Sequence, residues 1–567
     1  MGKIKFRNNS KNVVVSNNVR PKQSLSEIFS QIASGVTGVW TFILLVVFPL
    51  YTHDMYFDIL GARYVFFKIW GLTLIIFLVM LGILYIILDY TNTASAPSAL
   101  ERFLDSFKID NIKKHINITD IFFGIMIVAM ALATIGTKYK EEAFFGNSGR
   151  YQGLECWLIY FGTYVAVTRT FKFKRIYLDL ALLAGVMSCL WGIFDFYTLD
   201  PFAFFRNVAG IQRSMFASSV GNLNTFTNYT IIILGISGSL YLIEKSKIKQ
   251  AFYLIVYFIS VYASICGISD NAVLAFAGFF IFVPFVNFKN IESIFRYFIL
   301  IILMLLSFPL IRLSLVIPHN PYANSFFFDL INKNVDIYLL IPLVVITLFA
   351  FLALVLLGRR ESEKLGANVN YFDNKLNSNF YRVYNIILIV VFVLITYILL
   401  DMNVFKQNVN LWRQIPSSNQ LIFNDDWGTH RGHNWRIAFT NFTQNFNWFQ
   451  RLFGFGADSY LVVSETTFYE EMVNRYGEVY DSAHNEYVNY LICEGLVGLI
   501  AYLGIFVTAI KNGIKYASKN IFIIAPVAAV VCYMVQAVVN IAIPITTPIF
   551  FILMYMCASR EYLKENA

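Results

Sequence analysis

The long uncharged apolar runs constrain this chain most. From Phe66 to Leu88 the only charge is Lys68 near the start, and Ile337 to Leu357 carries none. Runs of roughly 20 apolar residues match the hydrocarbon thickness of a bilayer. In lipid every backbone N–H and C=O must be satisfied internally, which leaves helices or closed barrels. Barrel strands alternate polar and apolar residues over about ten positions, and these runs do not. With 14% charged residues and 57% hydrophobic, the chain is much less charged than soluble domains, which carry about 25%.

The pattern predicts an all-α polytopic membrane protein of about fourteen transmembrane helices. The spans are expected at 34–52, 64–89, 119–137, 154–170, 176–196, 222–243, 250–268, 271–287, 297–317, 337–357, 383–401, 485–510, 521–540 and 545–559. The organisation is therefore a basic tail over 1–33, helices over 34–401, one large loop over 402–484, further helices over 485–559 and a tail over 560–567. The N-terminus and the loops on its side carry the larger share of the 44 Lys and Arg residues. By the positive-inside rule both termini are cytoplasmic, in the cytoplasmic membrane, and the large loop faces outward. No small-x-small cleavage site follows Leu50, so the first run reads as an uncleaved anchor. The net charge of +9 is spread between hydrophobic runs, which makes it an orientation signal rather than a nucleic-acid surface. The six cysteines lie in apolar segments without metal-ligand spacing and imply neither disulfide nor zinc.

Within the large loop, Ile437, Phe439, Phe442, Phe446 and Phe449 approach helical spacing and predict an amphipathic helix. Gly454 and Gly456 break it, and a second, polar helix is expected around Thr466 to Tyr476. The loop ends in Asp481-Ser-Ala-His484-Asn485-Glu486, with Gly495 and Gly498 following. An imidazole at the outer mouth of a span is placed to take a proton from a hydroxyl, with Asp481 or Glu486 fixing its tautomer. The bland alternative is a histidine that anchors the helix end. Arg150, Arg206, Arg213, Arg431 and Arg436 fall on the same outward side. Guanidinium groups grip phosphate oxygens in bidentate fashion, although any single one also suits ordinary headgroups.

His484-Asn485 followed by Gly495-x-x-Gly498 resembles the signature of the O-antigen ligase superfamily, which spans O-antigen ligases, Wzy-type polymerases and related bacterial oligosaccharyltransferases. Gly149-Arg150-Tyr-Gln-Gly153-Leu154 is similar to that family's arginine loop, and Arg213 precedes Gly221-Asn222-Leu-Asn224 as the family's arginine precedes its GNPN segment. Arg431-Gly-His-Asn-Trp435 and Leu452-Phe-Gly454-Phe-Gly456 resemble the motifs that close its large loop. The resemblance implies a GT-C-type membrane glycosyltransferase with no cofactor and no metal. It would take a glycan from an undecaprenyl-diphosphate carrier and pass it to a glycan, lipid or protein acceptor, as ligase or polymerase. His484 would be the base in an inverting reaction, and Arg431, Arg213 and Arg150 would hold the diphosphate. Asn485, Glu486, Asp481, Trp435, Gly495 and Gly498 would support the motif. Leu223 stands where the family has proline, and Ser269-Asp270-Asn271 where many members have Ser-Arg.

Three rival readings stand beside this one. His430-x-x-His433 with His484 could bind zinc. His53, Asp54 and Asp58 could form the metal site of a metal-dependent GT-C enzyme. Asp179, Asp195 and Asp270, in or at the ends of spans, could mark the ion path of a flippase or other transporter. Matching broken helices or repeats, which transporters show, are not evident in the sequence.

Overall fold

The computed structural model describes residues 24–560, apart from 93–96, parts of 107–114, residue 148, 288–290, most of 321–368, and 414–420. Among the described residues, ten helices are long and apolar enough to cross a membrane, from Leu25–Leu50 to Ile521–Val539. Shorter helices at Leu154–Thr170, Asn271–Asn287 and Thr547–Cys557 occupy three further expected positions. The expected span 337–357 lies outside the described residues. The only strands among them are the two-residue pair Phe216–Ala217 and Gly221–Asn222. The chain is an all-α polytopic membrane protein.

Hydropathy alone does not tell which helices are central. The most apolar ones, Ile59–Thr91 and Tyr381–Phe405, have mean hydropathies of 2.9 and 2.8, yet 11% and 0% of their apolar windows are buried. They present Leu and Ile side chains outward, as lipid-facing helices do. Leu223–Ile243 has a mean hydropathy of 1.5 and is 94% buried. It carries Thr225, Thr227, Thr230, Gly235, Ser237, Gly238 and Ser239, and small residues let helix backbones approach closely. At Gly235 an added Cβ would lie 2.9 Å from the Ala529 Cα of the neighbouring Ile524–Gln536 helix. Between membrane helices, where lipid is as apolar as leucine, such fit replaces the hydrophobic effect as the organising force.

The helix Ile118–Gly136 defines two ends of the bundle. Its first turn, capped by Asn117, reaches Arg169 and Arg560 through Asp120. At its other end Gly136 packs under Phe449 of the large loop. The loop forms helices at Trp427–Thr440, Trp448–Phe453 and Tyr460–Tyr476. Ile437 and Phe446 are buried as expected, but Phe439 is 47% exposed, because it lies two residues after Ile437 in the helix Trp427–Thr440 and so points to the opposite side. The polar helix starts at Tyr460, earlier than expected.

The expected span 485–510 is not one helix. Glu486–Cys493 stops at Glu494, and Gly495–Tyr516 begins anew. Gly495 has φ +70, a left-handed conformation that costs an L-residue with a Cβ. The break receives the loop: Phe455 N–H donates to the Ile492 carbonyl at 3.0 Å and Gly456 N–H to the Cys493 carbonyl at 3.2 Å. Gly454, also left-handed, and Gly495 pack backbone against backbone, so a Cβ on either would overlap the other segment.

Candidate functional site

Three chain segments meet at the loop end of the bundle, and each has a local reason for its shape. Gly428, Thr429 and His430 are all left-handed, which turns the chain into the helix that carries Arg431 and Trp435. Trp435 Nε1 donates to the Ala483 carbonyl at 3.0 Å, fixing the residue before His484. Asn485 caps the next helix, its side chain accepting from the N–H groups of Tyr487 and Val488 at 2.9 and 3.1 Å. Asn489 reaches back to accept from Ala483 N–H. His484 is therefore held from both sides, itself left-handed at φ 48.

The third segment carries Arg150. Its guanidinium lies 2.6 Å from Asp481, three residues before His484. Asp458, buried, accepts from the backbone N–H groups of Asn147 and Gln152 at 2.8 and 3.0 Å. It thereby ties the Arg150 turn to the loop that docks on the helix break. Burial pushes the Asp458 carboxyl up to about 7, only partly opposed by those two bonds and by Arg150. Asp458 was not legible as a site residue; its position directly after the Gly454–Gly456 turn is the one signal that marks it.

The His484 ring has no hydrogen-bond partner among the described residues. Burial, then Arg431 and Arg150, lower its pKa to about 4, with Asp481 opposing. The imidazole is thus neutral at pH 7, with a lone pair free. The expectation that Asp481 or Glu486 would fix its tautomer is not met. Asp481 is taken by Arg150, and Glu486 is buried in the bundle, accepting from Tyr502 and Tyr533 at 2.6 and 2.8 Å. The ring is also less accessible than an exposed loop end would be.

Arg431 donates to the Gly428 carbonyl at 2.7 Å, and its buried Nε has no partner. Burial lowers its pKa, and Asp270 opposes this. Asp270, standing where the resemblance would place an arginine, therefore lies within electrostatic reach of Arg431. Arg213 is not drawn into this group; it is exposed and donates to the Val208 carbonyl at 3.3 Å. Arg436 is paired with Asp425 and Glu471. Gly498 lies one turn into the second half-helix, against Glu494.

The rival constellations take other shapes. His430 Nδ1 lies 2.6 Å from the Tyr480 hydroxyl and His433 Nε2 lies 3.2 Å from Glu471, so the two rings serve separate partners. His53 and Asp58 form an exposed pair at 3.2 Å. Asp179 accepts from Tyr253 at 2.5 Å and Asp195 from the Ser218 N–H at 2.7 Å. Among the described residues no group of three or more His, Cys, Asp or Glu is arranged to hold a metal ion.

No protein-family model matches the chain, and no curated protein is significantly similar to it.

Proposed function

We propose that this chain is a membrane glycosyltransferase of the O-antigen ligase type, with about fourteen spans and both termini cytoplasmic. It takes a glycan from an undecaprenyl-diphosphate carrier and transfers it, outside the cytoplasmic membrane, to an acceptor hydroxyl. The observation that carries this reading is the convergence of Arg150, Arg431 and His484. These come from three distant segments, and both arginines act electrostatically on the ring.

A neutral imidazole beside two cations is a base waiting for an anion. Burial first, and then the two arginines, hold His484 at about 4, where it is a weak base. A diphosphate seated on the guanidinium groups would offset their charge and raise the ring's basicity as the donor binds. His484 then takes the acceptor's proton while its oxygen attacks the anomeric carbon, and the carbon–oxygen bond to the diphosphate breaks. The leaving diphosphate keeps the electron pair, stabilised by the same arginines. Arg213, on its exposed turn, serves as an outer contact rather than part of the clamp.

The test is transfer of a labelled glycan from undecaprenyl-diphosphate by purified protein, with orientation read in intact cells. A cysteine at Asn474 should react with an impermeant maleimide and one at Lys519 should not. The reverse labelling, or no transfer with any acceptor class, would remove the reading.

A further inference from the structure

The large loop is fastened differently at its two ends. Its far end docks backbone to backbone on the helix break at Glu494. Its near end begins where the helix Val369–Leu400 runs into a π-turn at Asp401–Phe405 and then a short helix at Val409–Trp412. None of the apolar window of Tyr381–Phe405 is buried, and Val404, Phe405, Leu411 and Phe423 at its loop-side end are 64, 54, 54 and 50% exposed. Large apolar side chains grouped on one surface are costly in water and mark a contact. The turn that presents them is firmly held. Asp401, 1% exposed, accepts from the N–H groups of Gln407 and Asn408 at 3.0 and 2.9 Å and from Trp412 Nε1 at 2.7 Å. Asn403 accepts from Phe423 N–H at 2.7 Å and donates to the Leu421 carbonyl at 2.8 Å, which keeps Phe423 beside the turn.

The charges of the turn name the partner. Lys406 and Arg413 are exposed and bonded only through their backbone N–H groups, to the Asp401 and Val409 carbonyls, with no carboxylate on either side chain among the described residues. Asp401 has both oxygens committed to the donors above, and Asp425 is shared by Arg436 and Arg475. Two cations without counter-charge therefore stand beside exposed apolar side chains, at the polar end of a lipid-facing helix. Basic and apolar groups combined at headgroup level suit an anionic lipid. A soluble phosphate would leave the apolar side chains in water, and a zwitterionic head would bring a cation of its own to the two already there.

We propose that the turn Asp401–Arg413 binds an anionic phospholipid of the loop-side leaflet. Its phosphate lies on Lys406 and Arg413, and its chains lie against Val404, Phe405 and Leu411. The lipid seats on the bilayer the end of the loop that does not dock on the helix break. The inference stands independently of glycosyl transfer.

The experiment is thermal unfolding of the full-length protein in detergent, titrated with dioleoylphosphatidylglycerol. Dioleoylphosphatidylcholine is the zwitterionic control, and glycerol phosphate is the soluble source of the same anion. Phosphatidylglycerol should raise the Tm saturably, phosphatidylcholine less and glycerol phosphate not at all, since binding to the folded state alone stabilises it. Lys406→Gln and Arg413→Gln should each raise the half-saturating phosphatidylglycerol concentration about fivefold, and the two together about 25-fold. Both side chains are exposed, so the variants should fold as wild type does. Lys245→Gln, exposed at the opposite end of the bundle, should titrate as wild type. If phosphatidylcholine matches phosphatidylglycerol, if glycerol phosphate gives the same rise, or if the double variant titrates as wild type, the proposal is overturned.

Discussion

At the end of the bundle away from the large loop, arginines are spent on carboxylates. Arg169 and Arg560 lie 2.9 and 3.2 Å from Asp120, and Arg175 lies 2.6 Å from Glu244. At the loop end Arg431 and Arg213 donate only to backbone carbonyls, and Arg150 pairs with Asp481. A guanidinium matched to a buried carboxylate has little left to offer a phosphate, whereas one held by a carbonyl, or like Arg150 by a partly exposed carboxylate, keeps a share of its charge for an anion. The first arrangement fastens helices; the second is the one the proposed diphosphate clamp requires. The outer arginines of the loop, Arg436 and Arg475, resemble the first kind, sharing Asp425 at 3.0 and 2.5 Å.

The comparison breaks most visibly at His484. Asparagine tolerates the left-handed backbone there, so His484→Asn removes the base with little strain. Turnover should fall by about 10²–10⁴-fold, with the Tm in detergent nearly unchanged because the ring has no hydrogen bond to lose. Near-wild-type transfer by this variant would make His484 a helix anchor.

Arg431→Ala should raise the KM for the donor and lower kcat, together costing about 2 kcal/mol of transition-state stabilisation. Arg150→Ala should do the same with some loss of stability, since Asp481 is left unpaired. Lysine at either position should restore only part, because it keeps the charge and loses the fork. Arg169→Ala at the other end should lower the Tm and leave the donor KM alone, and Arg213→Ala should have the smallest effect on the donor. Equal donor effects from Arg169 and Arg431 would erase the distinction between the two ends.

Glycine substitutions sharpen the structural side of the same contrast. Gly454→Ala and Gly495→Ala place a Cβ into opposing backbone at the helix break and should each cost about 3 kcal/mol through strain and overlap. Gly477 is also left-handed at φ +73, but its Cβ would meet nothing within 4 Å. Gly477→Ala should cost only about 1 kcal/mol. Chemical unfolding in detergent separates these, and equal losses would mean the docking at the break carries no weight.

The fold class was legible because long uncharged runs admit only a membrane solution. Which helix is central was not, because burial follows small residues such as Gly235 and Ser239 rather than hydropathy. His484, Arg150 and Arg431, singled out in the sequence, lie within electrostatic reach of one another in the fold. Their neighbours were not legible: Asp481 turns to Arg150, 331 residues away, and Glu486 to two tyrosines on other helices, 16 and 47 residues away, pairings set by packing. The helix break at Glu494 was masked by the continuous apolar run Tyr490–Cys493 before it and Leu496–Ile505 after it, with Gly495 its one local sign.

The smallest effect expected is on the pH dependence of stability, where two groups of the site oppose each other. His484 titrates at about 4 in the folded chain against an ordinary 6.5. Between those values the unfolded chain binds a proton the folded chain does not, so this group lowers stability as pH falls. Asp458 titrates at about 7 against an ordinary 3.8, so over nearly the same window the folded chain binds the extra proton and acid stabilises it. The two slopes have opposite signs. His484→Asn removes the first slope, so its Tm should rise relative to wild type as pH is lowered from about 7 to about 5. Asp458→Asn removes the second and should show the reverse. Thermal unfolding of the three proteins at those two pH values decides the matter: if both variants track the wild type, neither group is held where burial and the two arginines put it.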